Sequence, residues 1–244
     1  MTVPEYPWRV LMALATLGEV AVVLAVPRPL SVAVLVVASV AMTGAVGFGL
    51  LFGRRAGLGA PLLAAGVHGG PIPRGACARL AVALLAGLVL GAVVTGTLRL
   101  LAIPAVPALR TRFIAEAAAP LWKRWIIAFD AAVLEEILFR LFIISVAAWA
   151  IQRLAAAPAG APSDATAWSA NILAALAFAL AHVPQWLAVA PRNPAVVVTV
   201  IATNTAAGLA FGHLFLRRGI EAAMAAHFAA DVMVHVLGPA LLAA

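Results

Sequence analysis

Apolar residues run along this chain in blocks of about 20, without two-residue alternation inside them, and most blocks close at a cluster of proline, glycine or arginine. A block of that length suits a helix crossing a bilayer at about 1.5 Å per residue. The pattern predicts about seven spans. They fall at roughly 9–26, closed by Pro27 and Pro29; 30–52, ended by "GRRAG"; 80–103; 124–152; 167–190, ended by "PRNP"; 195–216; and 220–242. In the third, Gly87 and Gly91 are spaced for close helix contact. Residues 56–79, with "GVHGGPIPRG" inside them, are too broken for a span and are expected to be re-entrant or interfacial. The segment "VPALRTRFIAEAAAPLWKR" predicts a short interfacial helix before the fourth span, which Trp122, Trp125 and Trp149 bracket as interface anchors. "APAGAPSDAT" reads as a linker. The expected fold is all-α: a polytopic transmembrane helical bundle, one domain over residues 1–244, without an internal repeat.

Composition settles the solvent. The chain is 65% hydrophobic and 10% charged, with a mean hydropathy of +1.10, where soluble domains run near 45–50% and about 25%. Only lipid accommodates that much apolar surface, and a membrane barrel would alternate apolar and polar residues. The net charge of +7 comes mostly from arginines in short connections, such as Arg54, Arg55, Arg74, Arg79, Arg110, Arg112, Arg217 and Arg218. They read as topology-setting residues touching anionic lipid, not as a nucleic-acid surface. Their numbers on alternate sides are nearly equal, so they do not set an orientation. Cys77 is the single cysteine, which excludes an internal disulfide and a thiolate metal cluster. The first block carries Glu19 and lacks a small-residue cleavage site, so it is expected to stay as a span. The alanine and arginine bias beside one lysine, Lys123, points to a GC-rich bacterium and a multi-pass cell-membrane protein.

Against that background the buried charges stand out. "VLEEILFR" places Glu135, Glu136 and Arg140 in one apolar stretch, where each charge costs about 2.5–3.5 kcal/mol to insert. Glu136 and Arg140 are i,i+4 neighbours and are expected to pair as structure, leaving Glu135 about a quarter-turn away and free to act. "FALAH" puts Phe178 and His182 on one face of the fifth span. His182 alone would more often be a packing residue, bonded to a carbonyl that Pro184 frees. "HFAAD" aligns His227 with Asp231, with His235 one turn further and near the interface. Imidazoles and carboxylates from three helices are an inventory for activating water, by general base or by a bound divalent metal. The histidines and carboxylates would suit zinc with an open position. No serine, cysteine or lysine joins them, so a covalent nucleophile is not expected.

The order and spacing of these patterns resemble a known family. "EEILFR" matches E-E-x-x-x-R, "FALAH" matches F-x-x-x-H, and "GLAFGHLFLRRGIEAAMAAHFAAD" resembles a G-x-x-x-G…R-x-G…H-x-x-x-[ND] region. The chain resembles the CPBP family of intramembrane proteases (CAAX proteases and bacteriocin-processing enzymes, also called the ABI family), with a family-like core at about 122–242. The resemblance implies a polar cavity between the motif-bearing helices and peptide-bond hydrolysis by water. It implies Glu135 as general base, His182 as its partner on the water, and Glu136, Arg140 and Phe178 as support. His227 and Asp231 would stabilise the oxyanion or help hold a metal; a ligand set of Glu135, His182, His227 and Asp231 and a metal-free glutamate mechanism both stay open. Some members carry asparagine at the last position. Asp231 lacks the NH donor of that amide, so the donor role would fall mainly to His227.

The implied substrate is a peptide or membrane-anchored protein, leader peptides included, met in the bilayer and with no nucleic acid involved. The same family offers a second reading, a non-proteolytic membrane regulator or immunity scaffold. A proton-coupled transporter is a third, against which the absence of an inverted repeat counts. His213 and Glu221 are expected to be structural or interfacial, and Glu19 and Asp130 have no matched role.

Overall fold

The computed structural model describes residues 7–25, 30–67, 69–72, 74–190 and 193–243. Pro27 and Pro29, which were expected to close the first span, lie outside the described residues, as do His68, Pro73, Pro191 and Arg192. The described chain is helical in α1 (Trp8–Ala25), α2 (Val32–Arg55), α3 (Pro61–Val67) and α4 (Ala76–Ala102). There follow α5 (Ala108–Ala118), α6 (residues 121–154), α7 (Asp164–Leu187), α8 (Pro194–Arg218) and α9 (Ile220–Ala243). Local sequence explains several starts. Ser31 and Ser163 cap α2 and α7 by accepting from Val34 N and Thr166 N, and Asn193 caps α8 just before Pro194.

Among the described residues six helices (α1, α2, α4, α7, α8 and α9) are long and apolar enough to cross a membrane. This makes a multi-pass membrane protein and corrects the expected count of about seven. The fourth expected span, within α6, is helical throughout but is not one of the six. Its middle, Glu136–Ile144, is π-helical, and the helix carries Asp130, Glu135, Glu136 and Arg140. It packs against α1, α2, α7, α8 and α9. A helix enclosed by others can be far more polar than one bathed in lipid. The lipid-facing role falls to surfaces such as Val34, Val37 and Val40 of α2 and Val82, Leu85, Val89 and Val93 of α4, all exposed.

The bundle closes on small residues, because lipid supplies no hydrophobic drive between helices and contact must come from close packing. Gly87 and Gly91 of α4 lie against Ala226 and Ala230 of α9, so that a Cβ at either position would run into a backbone carbonyl. Gly91→Leu is therefore expected to cost about 1–3 kcal/mol or to prevent folding. Thermal unfolding in detergent measures this, and an unchanged midpoint would mean that α4 and α9 do not meet here. Gly219, at φ 89° and with Pro61 against it, makes the sharp break between α8 and α9 that a side chain would not permit.

The broken segment 56–79 splits between the short helix α3 and the first turn of α4, which begins four residues before its expected start. Leu62 N and Leu63 N both donate to Glu221 Oε1 at 2.8 Å. The carboxylate satisfies amides that the helix start leaves free and ties α3 to α9. Glu19 accepts from Ser39 Oγ at 2.8 Å, joining α1 to α2. His213 stacks on Trp168 at the surface. Trp122 and Trp125 are exposed as interface anchors would be, whereas Trp149 packs on the Phe52 ring at 4.4 Å.

Candidate active site

The three motif-bearing helices bring their polar residues to one place. Glu135 ends the first α-helical part of α6, where the π-helical stretch begins; such π segments often mark functional positions. Its Oε1 lies 3.8 Å from His182 Nε2 on α7, and its Oε2 lies 3.8 Å from His227 Nε2 on α9. Glu135 Oε2 has no hydrogen-bond partner. The carboxylate thus stands between two imidazoles without a direct hydrogen bond to either, and a water touching both groups at about 2.8 Å fits that spacing.

Each imidazole is oriented from behind. His182 Nδ1–H donates to the carbonyl of Phe178 at 2.8 Å. That carbonyl belongs to its own preceding turn and is not the one freed by Pro184, which corrects the sequence expectation. A carbonyl only accepts, so the proton sits on Nδ1 and a neutral His182 turns its Nε2 lone pair toward Glu135. His227 Nδ1–H donates to Glu136 Oε1 at 2.8 Å, and its Nε2 faces Asp231 Oδ2 at 3.5 Å as well as Glu135. An imidazolium at 227 would donate from both nitrogens, one to Glu136 and one into the cavity.

Glu136 does more than the expected bracing. Its Oε1 also lies 3.1 Å from Arg140 Nη1, with both side chains at most 1% exposed. The Arg140 guanidinium sits over the rings of Phe178 at 4.4 Å and Phe211 at 5.4 Å and donates to the Gly208 carbonyl at 3.5 Å. Phe178 in turn meets Phe139 edge-on and contacts both His182 and His227. Phe211 stacks on His227 with 4.6 Å between ring centres. Sequence reasoning missed Phe211, although it lies inside "GLAFGH", because an aromatic on an apolar helix carries no signal of its own.

The site opens on a cavity of about 490 Å3. Glu135, Phe178, His182, Phe211, His227 and Asp231 line one part of it, and Arg112, Glu116, Asp130 and His235 line another. His235 Nδ1 is hydrogen-bonded to Glu116 Oε1 of α5, so it is a cavity residue and not the interfacial one expected. Glu116 was missed altogether. A lone acid in a short amphipathic helix is usually a solvated face, and its partner is 119 residues away.

Among the described residues no group of three or more His, Cys, Asp or Glu is arranged to hold a metal ion. The set expected from Glu135, His182, His227 and Asp231 is present as neighbours, Glu135 3.8 Å from both imidazoles and Asp231 3.5 Å from His227, without forming such a group. The residues as arranged do not fit a metal.

Fold and site together define a multi-pass helical membrane protein with a buried Glu/His cluster of the kind a Glu/His catalytic centre presents. Residues 117–233 match the family described as Rce1-like, type II CAAX prenyl endopeptidase Rce1-like. Over that segment the chain is similar to that family, and the segment holds Asp130, Glu135, Glu136, Arg140, Phe178, His182, Phe211, His227 and Asp231; residues 1–116 and 234–244, with Arg112, Glu116 and His235, lie outside it. No curated protein and no solved structure matches the chain. The family match and the buried cluster support a protease-like enzyme in general terms.

Proposed function

We propose that this chain is an intramembrane endopeptidase that hydrolyses a peptide bond with water activated by Glu135 and His182. The observation that carries this reading is the Glu135 carboxylate facing two imidazoles across 3.8 Å gaps at the wall of a large cavity. A water between Glu135 and His182 gives its protons to two acceptors and turns a lone pair to the substrate carbonyl. As its oxygen bonds to the carbonyl carbon, the proton passes to Glu135. His227, held by Glu136 and stacked on Phe211, donates to the developing oxyanion from Nε2. Glu135 then gives its proton to the leaving nitrogen as the C–N bond breaks. The products are a carboxylic acid and an amine, with one water consumed.

The family description names a CAAX prenyl endopeptidase; for this chain we take the substrates to be peptides or membrane-anchored proteins reaching the cavity from the bilayer. The decisive experiment is mass spectrometry of membrane peptides from cells with the active protein against cells with Glu135→Ala. Cleavage products confined to the first sample are expected; identical peptide sets would sink the reading.

Asp231 separates two versions of the site. It lies 3.5 Å from His227 Nε2 and acts here as an acceptor that orients the ring. Asp231→Asn keeps the shape and one oxygen acceptor, so cleavage is expected to survive within about tenfold, while Asp231→Ala falls further. Chelator should leave the wild type unchanged. A dead Asp231→Asn enzyme rescued by added zinc would make this residue a metal ligand instead.

A further inference from the structure

The cavity is lined by more acidic side chains than the hydrolysis uses. Four carboxylates line it: Glu116, Asp130, Glu135 and Asp231. Among the described residues Arg112 is the one guanidinium lining the cavity, with no lysine beside it. That arginine is already engaged. Its guanidinium lies 4.2 Å over the ring of Trp186, and Glu116 is one turn away on the same helix. Glu116 also holds His235, Asp231 faces His227, and Glu135 faces His182 and His227. Asp130 alone among the four makes no ion pair with a described residue; its one hydrogen bond is from the amide of Ala131. The chain as a whole is strongly basic at +7, so this acidic cavity runs against the charge of the protein around it.

Position adds to charge. Asp130 and Glu135 lie on the same α-helical part of α6, five residues apart, and both line the cavity. Five residues of helix rise about 7.5 Å, which is close to two residues of extended peptide at about 3.3–3.6 Å each. Building on the hydrolase reading, we propose that Asp130 is a specificity residue that seats a lysine or arginine side chain of the substrate about two residues from the bond presented to Glu135. An acidic side chain in the same place would meet the carboxylates of Asp130 and Asp231, and like charges in a low-dielectric cavity repel strongly.

The test uses the full chain in detergent and a set of fluorescent alanine–leucine dodecapeptides, acetylated and amidated at their ends. They differ in one residue (Lys, Gln or Glu) moved through successive positions. Binding is read by anisotropy and cleavage by mass spectrometry. At one position the lysine peptide should bind about tenfold more tightly than the glutamine peptide and the glutamate peptide more weakly still, with cleavage about two residues from the lysine. Asp130→Asn should bring the Lys/Gln ratio close to one, and Asp130→Glu should restore it. Equal binding of lysine and glutamine peptides by the wild type at every position overturns the proposal whether or not Asp130 variants fold. So does a lysine preference that survives Asp130→Asn. A charge preference in binding without any cleavage keeps the proposal and overturns the hydrolase reading, whereas cleavage indifferent to charge does the reverse.

Discussion

Glu135→Gln is expected to reduce peptide cleavage by at least about 10²–10⁴-fold, the share of rate that a positioned general base supplies, while the protein still inserts and purifies like the wild type. The amide preserves size and one oxygen but cannot take a proton from water. Folding should tolerate the change because Glu135 carries little structural duty. Its side chain is 30% exposed, its Oε2 bonds to nothing, and both imidazoles it faces are held from behind by other groups. The measurement pairs initial cleavage rates with the yield of monodisperse protein after size-exclusion chromatography. Turnover at the wild-type rate would remove Glu135 as the base. Inactivity accompanied by collapse of the yield would mean that the residue is structural.

Glu136→Gln should fail in the opposite way, first in stability. The carboxylate is fully buried and serves two partners, Arg140 at 3.1 Å and His227 at 2.8 Å. Neutralising it leaves the Arg140 guanidinium among phenylalanine faces with one long hydrogen bond, to Gly208 O. Breaking such a buried pair from one side costs about 3–5 kcal/mol, a large share of the roughly 5–15 kcal/mol that holds a domain folded. A sharply lower folded yield and melting temperature are expected. The folded remainder should also cleave slowly, because His227 has lost the acceptor that orients it. The double variant Glu136→Gln with Arg140→Met tests the cause, since removing the stranded charge should recover much of the stability but none of the activity. Wild-type yield from Glu136→Gln alone would show that the pair is not what the geometry says.

These two glutamates are adjacent in sequence, and their division of labour was partly legible there. That Glu136 pairs with Arg140, and that His227 and Asp231 share a face, follows from i,i+4 spacing on any helix. That Glu136 also holds His227 does not follow, because 91 residues separate them. The same holds for Phe211 against His227 and for His235 against Glu116. His182 shows the limit even within one helix. Its face was readable, but the carbonyl it bonds proved to be that of Phe178, which only the side-chain rotamer decides.

What the sequence determined by itself was the solvent, the helical class and the position of each motif along its helix. Those rest on composition and on local geometry, which an apolar block about 20 residues long carries wherever it folds. The tertiary structure alone decided that α6 is enclosed by its neighbours and so free to carry charge. It alone placed Glu135 between two imidazoles and Asp130 at the cavity wall, without an ion pair among the described residues. The reason is that neighbouring helices in lipid are sorted by contact shape more than by hydrophobicity. Their rotation and depth are set where Gly87 and Gly91 meet Ala226 and Ala230, and where Gly208 meets Ala175. Each such contact is a relation between two surfaces, and a single run of residues holds only one of them.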